Sequence, residues 1–440
     1  MNTKVSASKI GLLIVIAIAA GSASLAAQDN PAMWRITTLY AFTGNADGAV
    51  PYGGVVLDPA GNVYGTTTNG GDFGGENCGT YGCGVVFKID PRGHESLLHT
   101  FTGPSGDGAN PYEGVTRDSA GRLFGVTPFF LALYELQPSA TFCAAVLCPW
   151  NESVLYNNSD DGQYGGIPTG IPVVDAQGNI YATSNTGGSG TNCGGVGCGF
   201  VFEVDAQGQF TVIHNFNFQG GTDGYLPTGP LLLMADGSLY GTTLSGGSDG
   251  AGTVYKIDAN GNESILYSFT GGSNGFSPES GVIADGQGNL YGTTPVGGQH
   301  SSLCDGGTCG VVFELSPNQN GWSESVLYSF QGGADGGNPY GGLLRDSQGN
   351  FYGTTDVGGV CQYGPYCGIV YKLDSAGNKT TLWNFQFLTD GGIPGFGSLV
   401  MDQQGSLYGT TIYGGDLSAT NPACTGFYGP GCGVVFKLTP

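Results

Sequence analysis

Seven short stretches of the chain carry an acid or amide, then glycine, then a proline a few residues on. The leading residues are Asp47, Asp107, Asp161, Asp223, Asn274, Asp335 and Asp390. Six carboxylates and one amide held at one level of a ring could bind Ca2+, which prefers oxygen ligands. The same residues also make an ordinary turn, with Asp capping the backbone and Gly taking a positive φ. The turn is the simpler reading, because every unit needs it whether or not it holds an ion. Alternating acids at EF-hand spacing are absent. Tyr52, Tyr112, Tyr225 and Tyr340 stand beside these turns and could serve as aromatic platforms for a sugar or a protein side chain.

Groups able to do covalent or acid–base chemistry are sparse. The chain has four histidines and no His-Glu-x-x-His or phosphate-loop pattern; Gly-x-Ser-x-Gly occurs only within glycine-rich loops, at 246–250 and 271–275, not as a strand-to-helix nucleophile elbow. His99 and His214 occupy positions where the related stretches carry Tyr, and read as structural. His94 falls in a turn and His300 in a loop. Glu113 and Glu279 break the pattern of the stretches that contain them. An acid near an axis could act in proton transfer, but both read more simply as departures from a repeat. Catalysis needs unlike residues converging at one point, and a repeat supplies like residues. The sequence therefore points to a non-catalytic binding or interaction module for a glycan or protein ligand. The alternative is a hydrolase or lyase using a channel-bound Ca2+ or a carboxylate pair.

The 12 cysteines fall into six close pairs: Cys78 with Cys83, Cys143 with Cys148, Cys193 with Cys198, Cys304 with Cys309, Cys361 with Cys367, and Cys424 with Cys432. Local disulfides are the expectation for such pairs in an exported chain. The paired Cys-x2-Cys spacing of zinc sites is absent.

These residues sit on a repeat. Tyr-Gly-Thr-Thr begins at Tyr64, Tyr240, Tyr291, Tyr352 and Tyr408, with variant copies at Phe124 and Tyr181. Each copy is preceded by a Pro, Gly and apolar run (strand a). It is followed by a Gly-Val-Val-Phe-Lys type run (strand c) and then, in all but the last, a Leu-Tyr-x-Phe type run (strand d), with Tyr-Gly-Thr-Thr itself as strand b. The runs are β-branched or aromatic, four to seven residues long, and bounded by Gly, Asp and Asn, which is the pattern of short strands. Strand c is apolar on both faces, so both must be covered, as stacked blades would do. The mature chain opens on a d strand, Leu39 to Phe42, and closes on a c strand, Gly433 to Leu438. Joining the two ends predicts a closed, all-β, seven-bladed β-propeller over residues 34–440, with four-stranded blades and the N-terminal strand completing the last one. Strand direction alternates, so the variable b–c loops and the d–a connections share one face. The Asp-x-x-Gly turns between a and b, and between c and d, share the other.

Lys4 and Lys9 precede an apolar run from Ile10 to Ala20 that is too short to span a bilayer, and small residues follow at Ser24 to Ala27. Residues 1–27 read as a signal peptide cleaved after Ala26 or Ala27, and 28–33 as a short linker. The formal charge of −22 becomes −24 without the two lysines. So acidic a chain argues against nucleic acid and anionic membranes as partners. A soluble, exported monomer is expected.

The Gly-Asn-Leu-Tyr-Gly-Thr-Thr and Gly-Val-Val-Phe-Lys-Leu signatures resemble the bacterial GloVer tandem-repeat proteins, named after Gloeobacter and Verrucomicrobia. The resemblance implies an exported repeat protein and no particular activity. Such proteins carry a choice of C-terminal sorting anchors. Here the chain closes on Lys437-Leu438-Thr439-Pro440, so periplasmic or freely extracellular residence is the expectation.

Overall fold

Each repeat makes one antiparallel four-stranded sheet, because short β-branched runs joined by tight Asp-Gly turns can only fold back on their neighbours. The computed structural model describes residues 34–71, 78–103, 107–128, 132–138, 150–157, 166–190, 193, 195–218, 223–359, 366–418, 421–424 and 430–440. It contains seven such sheets, arranged as a seven-bladed β-propeller. In the first blade the order is Val56–Leu57, Val63–Thr67, Val85–Ile89 and Glu95–Thr100. The ring closes as the termini predict. The strand Arg35–Ala41 pairs antiparallel with Val434–Thr439, placing Arg35 opposite Thr439 and Ala41 opposite Val434.

Strand a is shorter than its sequence run. It is two residues long in four blades, is broken into Gly392–Pro394 and Val400–Met401 in the last, and extends unbroken to Pro168–Val174 and Gly224–Leu233 in the third and fourth. The innermost segments leave the ladder because they converge on the axis. There, glycines let backbones of adjacent blades touch: a Cβ on Gly229 would lie 2.6 Å from the amide nitrogen of Gly281.

The core lies between blades. Leu290 and Tyr291, neighbours on one strand, belong to different buried clusters: Leu290 packs with Phe313, and Tyr291 with Phe351. The next residue must be small. A Cβ on Gly292 would stand 2.6 Å from Cζ of Phe313, the ring directly opposite on strand c. The two threonines that follow divide the work. Thr293 donates its hydroxyl to the carbonyl of Gly341 in the next blade, and Thr294 closes its own turn on the carbonyl of Val296. Thr410 repeats the first link across the closure seam, donating to the carbonyl of Gly53.

A second repeated device steers the chain to the axis. Val50, Asn110, Leu226, Ser277, Asn338 and Ile393 all have φ between 53° and 59°, and each immediately precedes a proline. This region is costly for β-branched side chains, on the order of 1–3 kcal/mol. Each backbone N–H donates to the carbonyl that ends the preceding blade's b–c loop: Cys432, Cys83, Cys198, Ala251, Cys309 and Cys367, respectively. Six occurrences make the strain a property of the ring, not of a site.

Disulfides join Cys78 to Cys83, Cys193 to Cys198, Cys304 to Cys309 and Cys424 to Cys432. Cys367 is also disulfide-bonded, while Cys361, Cys143 and Cys148 lie outside the described residues. The bonds hold the b–c loops against the following connection: a Cβ on Gly332 would be 2.9 Å from Sγ of Cys304.

Candidate functional site: the channel mouth and the d–a turns

The segments after the recurrent prolines bring seven blades to one narrow channel. Its cavity of about 160 Å3 is lined by Tyr52, Glu113, Thr169, Thr228, Glu279 and Phe396, among others. It continues into a chamber of about 330 Å3 bounded by Tyr52, Glu279, Tyr340, Asp356 and Phe396. Tyr52 and Phe396 stack in parallel with centroids 4.4 Å apart. Tyr340 packs on Phe396 at 4.6 Å with its plane tilted by 45°, and Tyr112 meets Tyr52 edge-on at 5.3 Å. All four rings are half-buried; Tyr52, Tyr340 and Phe396 line the chamber, and Tyr112 joins them through its contact with Tyr52.

Three of the four tyrosines picked out in the sequence therefore gather here, and Tyr225 does not. Tyr52, Tyr112 and Tyr340 directly follow a proline, whereas Tyr225 stands two residues before Pro227. It packs on Phe218 at 4.8 Å within the cluster between the third and fourth blades. Phe396 was hidden by one extra residue, Gly395, between it and Pro394.

Glu113 and Glu279, which read as departures from the repeat, line this channel together. Burial pushes the Glu279 carboxyl up to about 7, and the charge of Glu113 adds to the push. Burial raises Glu113 as well, against a hydrogen bond from the Gly170 backbone. Their backbones are fixed by threonines of the preceding blade. Thr66 donates to the Glu113 carbonyl at 2.6 Å, and Thr242 to the Ser280 carbonyl at 2.9 Å. Burial, then the charges of Asp356, Glu113 and Glu279, holds the Tyr52 phenol well above its usual range, so it stays a donor. The channel thus presents protonatable carboxyls and phenols beside exposed ring faces.

The aspartates of the d–a turns are placed differently. The described carboxylates are turned back on their own turns, and those of Asp47, Asp107, Asp335 and Asp390 also meet the aromatic residue of strand d. Asp47 accepts from Tyr40 Oη at 3.1 Å and from the Thr43 N–H at 2.8 Å. Asp335 accepts from Tyr328 and Lys379 at 2.7 and 2.8 Å, and Asp390 from Trp383 Nε1 at 3.1 Å. Asp107 meets His99 Nε2 at 3.2 Å, and Asp223 accepts from the Asn217 N–H at 2.7 Å. Asn274 likewise donates to Tyr267 Oη. Asp161 lies outside the described residues. Among the described residues, no group of three potential ligand side chains holds two of these aspartates; Asp107 and Asp223 instead each join a histidine and a glutamate.

A larger cavity, about 710 Å3, is on the opposite face, beside Asp58, Asp118 and Asp402. Those carboxylates are consumed by their turns. Asp58 accepts from Ala60, Asn62 and Tyr64, Asp118 from Arg122, and Asp402 from Ser406 and Tyr408. The strand-b tyrosines and the Asp-x-x-Gly turns thus form one structural unit.

The chain belongs to the Gloeobacter/Verrucomicrobia repeat family, whose model matches residues 132–303 and 301–440. No curated protein matches it. Among solved structures it is similar to virginiamycin B lyase from Staphylococcus aureus (12% identity, 92% of this chain and 99% of that one, TM-score 0.55). It is also similar to a fungal alcohol oxidase in complex with copper (13% identity, 92% and 76%, TM-score 0.53). At these identities the likeness is one of fold. Among the described residues no helix is long and apolar enough to cross a membrane.

Proposed function

We propose that this protein is an exported, non-catalytic binding module whose ligand enters the channel mouth, and that the ligand is a glycan. The observation that carries the reading is the wall of Tyr52, Phe396 and Tyr340 facing the Glu279 carboxyl across one chamber. A pyranose ring offers apolar C–H faces to aromatic rings and hydroxyls to carboxyl and phenol groups, which is the mixture found here. The chamber is at the small end of ligand pockets, roughly 300–1,000 Å3, so a terminal sugar fits better than an internal stretch of polymer. Export rests on the signal-like residues 1–27 and the disulfides.

A second reading has one observation behind it: Glu279 is poised near 7 beside a second carboxyl, as general acids and bases are. A hydrolase or lyase would use that pair. Screening the mature chain on a glycan array, then assaying each bound glycan for cleavage, separates the two. Binding with no cleavage is expected. Cleavage that Glu279→Gln abolishes would install the enzyme reading, and no glycan bound would remove the ligand class.

A further inference from the structure

Two blade seams carry a histidine where the others carry tyrosine or tryptophan, and one of these seams is chemically incomplete. His214 lies on the strand Phe210–Asn215, Asp223 on the connection to the next blade, and Glu263 on the strand Glu263–Ser268 of that blade. One ligand atom from each lies within 4.8 Å of the other two. In the tyrosine seams the phenol satisfies the aspartate: Tyr40 donates to Asp47, and Tyr328 to Asp335. Here Nε2 of His214 and Oδ1 of Asp223 join Oε1 of Glu263 as buried atoms with no hydrogen-bond partner; the glutamate oxygen is unpartnered at Glu95, Glu152 and Glu324 as well, so the orphaned histidine and aspartate are what set this seam apart. Three orphaned polar atoms at one point demand an explanation, and an ion is the simplest that satisfies all three.

The surroundings suit a ligand set. The Asn217 N–H holds the other oxygen of Asp223, so the free one is aimed. The His214 ring packs perpendicular to that of Phe216, with centroids 4.9 Å apart. A cavity of about 420 Å3, lined by Asp223, Glu263, Ser248 and Ser268, opens on the same point. It leaves room for water in the remaining coordination positions.

We propose that His214, Asp223 and Glu263 form a divalent transition-metal site that staples the third blade to the fourth. Two carboxylates balance the charge of the ion, and the imidazole selects Zn2+ and its neighbours over Ca2+ and Mg2+, which take oxygen ligands. His99, Asp107 and Glu152 repeat the trio one seam away from the closure. There His99 already bonds Asp107 at 3.2 Å, leaving only the Glu152 Oε1 orphaned, so that seam is the weaker candidate.

The test uses the untagged mature chain, stripped with EDTA and titrated calorimetrically with Zn2+ and, separately, Ca2+. Tight binding of Zn2+ is expected, with Ca2+ at least tenfold weaker. His214→Tyr, which installs the residue of the tyrosine seams, removes one equivalent of Zn2+ while leaving the metal-free Tm unchanged. Glu263→Gln weakens the same equivalent, and Co2+ substituted for Zn2+ loses its visible absorption in both variants. Zn2+ stoichiometry unchanged in both variants, Ca2+ bound as tightly as Zn2+, or no metal bound at all would each overturn the site.

Discussion

The Tyr52 ring lies parallel to that of Phe396, with centroids 4.4 Å apart and planes 5° from one another. The two residues come from the first and last blades, so the stack spans the seam where the ring closes. The Phe396 N–H donates to the Tyr52 carbonyl at 3.0 Å beneath it. Closure therefore builds the aromatic wall: a chain that fails to seat Arg35–Ala41 on Val434–Thr439 loses the anchor of that seam, on which the candidate ligand surface depends.

Three buried tyrosines have no use for their hydroxyls. Tyr134, Tyr255 and Tyr371 are buried with Oη unpartnered. They face Gly125, Gly241 and Gly353 across the sheet, where other blades set Phe87, Phe313 and Phe436 opposite glycine. An unsatisfied buried hydroxyl costs about 1–3 kcal/mol. Each Tyr→Phe change is expected to raise stability by up to about 1 kcal/mol, measured by urea unfolding. A loss of stability in all three would show that these hydroxyls are satisfied.

Gly292→Ala tests the close approach under strand b. The new methyl meets Cζ and Cε1 of Phe313 at 2.6 and 2.9 Å, so the ring or the strand must shift, at a cost of about 1–3 kcal/mol. In the third blade Ala182 already faces Phe202, so Ala182→Gly is expected to change Tm far less. Equal effects at the two positions would contradict the packing account.

Stability should depend on pH through the channel acid. The folded Glu279 has its pKa raised from 4.5 to about 7 by burial and by Glu113. A raised acid favours folding while protonated, so its contribution is full below 4.5 and is lost as pH rises through about 7. Glu95 on the first blade, raised to about 7 by burial and by Asp47, acts in the same direction. Asp285 and Asp346 oppose it at the acid end. Burial works against them, yet hydrogen bonds from Asn289 and Asn350 hold both below 3.8, so their contribution is lost only as pH falls further. Tm scanned between these limits should fall toward neutrality, and Glu279→Gln should flatten the fall. A wild-type Tm that rises through the window would contradict the assignment.

Much of the fold could be read from the sequence because each signature recurs with one physical job. The Gly292 position admits a ring, Thr293 reaches the next blade, and the mismatch of Leu39–Phe42 with Gly433–Leu438 closes the circle. The site was harder to read for the same reason. Tyr52, Tyr112 and Tyr340 are legible because they repeat directly after a proline, whereas Tyr225 shares their proximity to a turn but not their offset from proline. Phe396, Glu113 and Glu279 are departures from the repeat, and departures look like drift until the ring brings them to one axis. His214 and Glu263 come from successive blades 49 residues apart, and only the seam between those blades makes them neighbours.

The measurement that bears most directly on the channel mouth is a calorimetric titration of one array-positive glycan into four proteins: wild type, Phe396→Ala, Glu279→Gln and Tyr225→Ala. Thermal unfolding confirms that each is folded. Loss of an aromatic platform or its facing carboxyl should weaken binding about tenfold or more, each tenfold being about 1.4 kcal/mol. Tyr225→Ala, remote from the channel, should bind like wild type. Unchanged affinity in Phe396→Ala and Glu279→Gln, or a loss confined to Tyr225→Ala, would contradict the account.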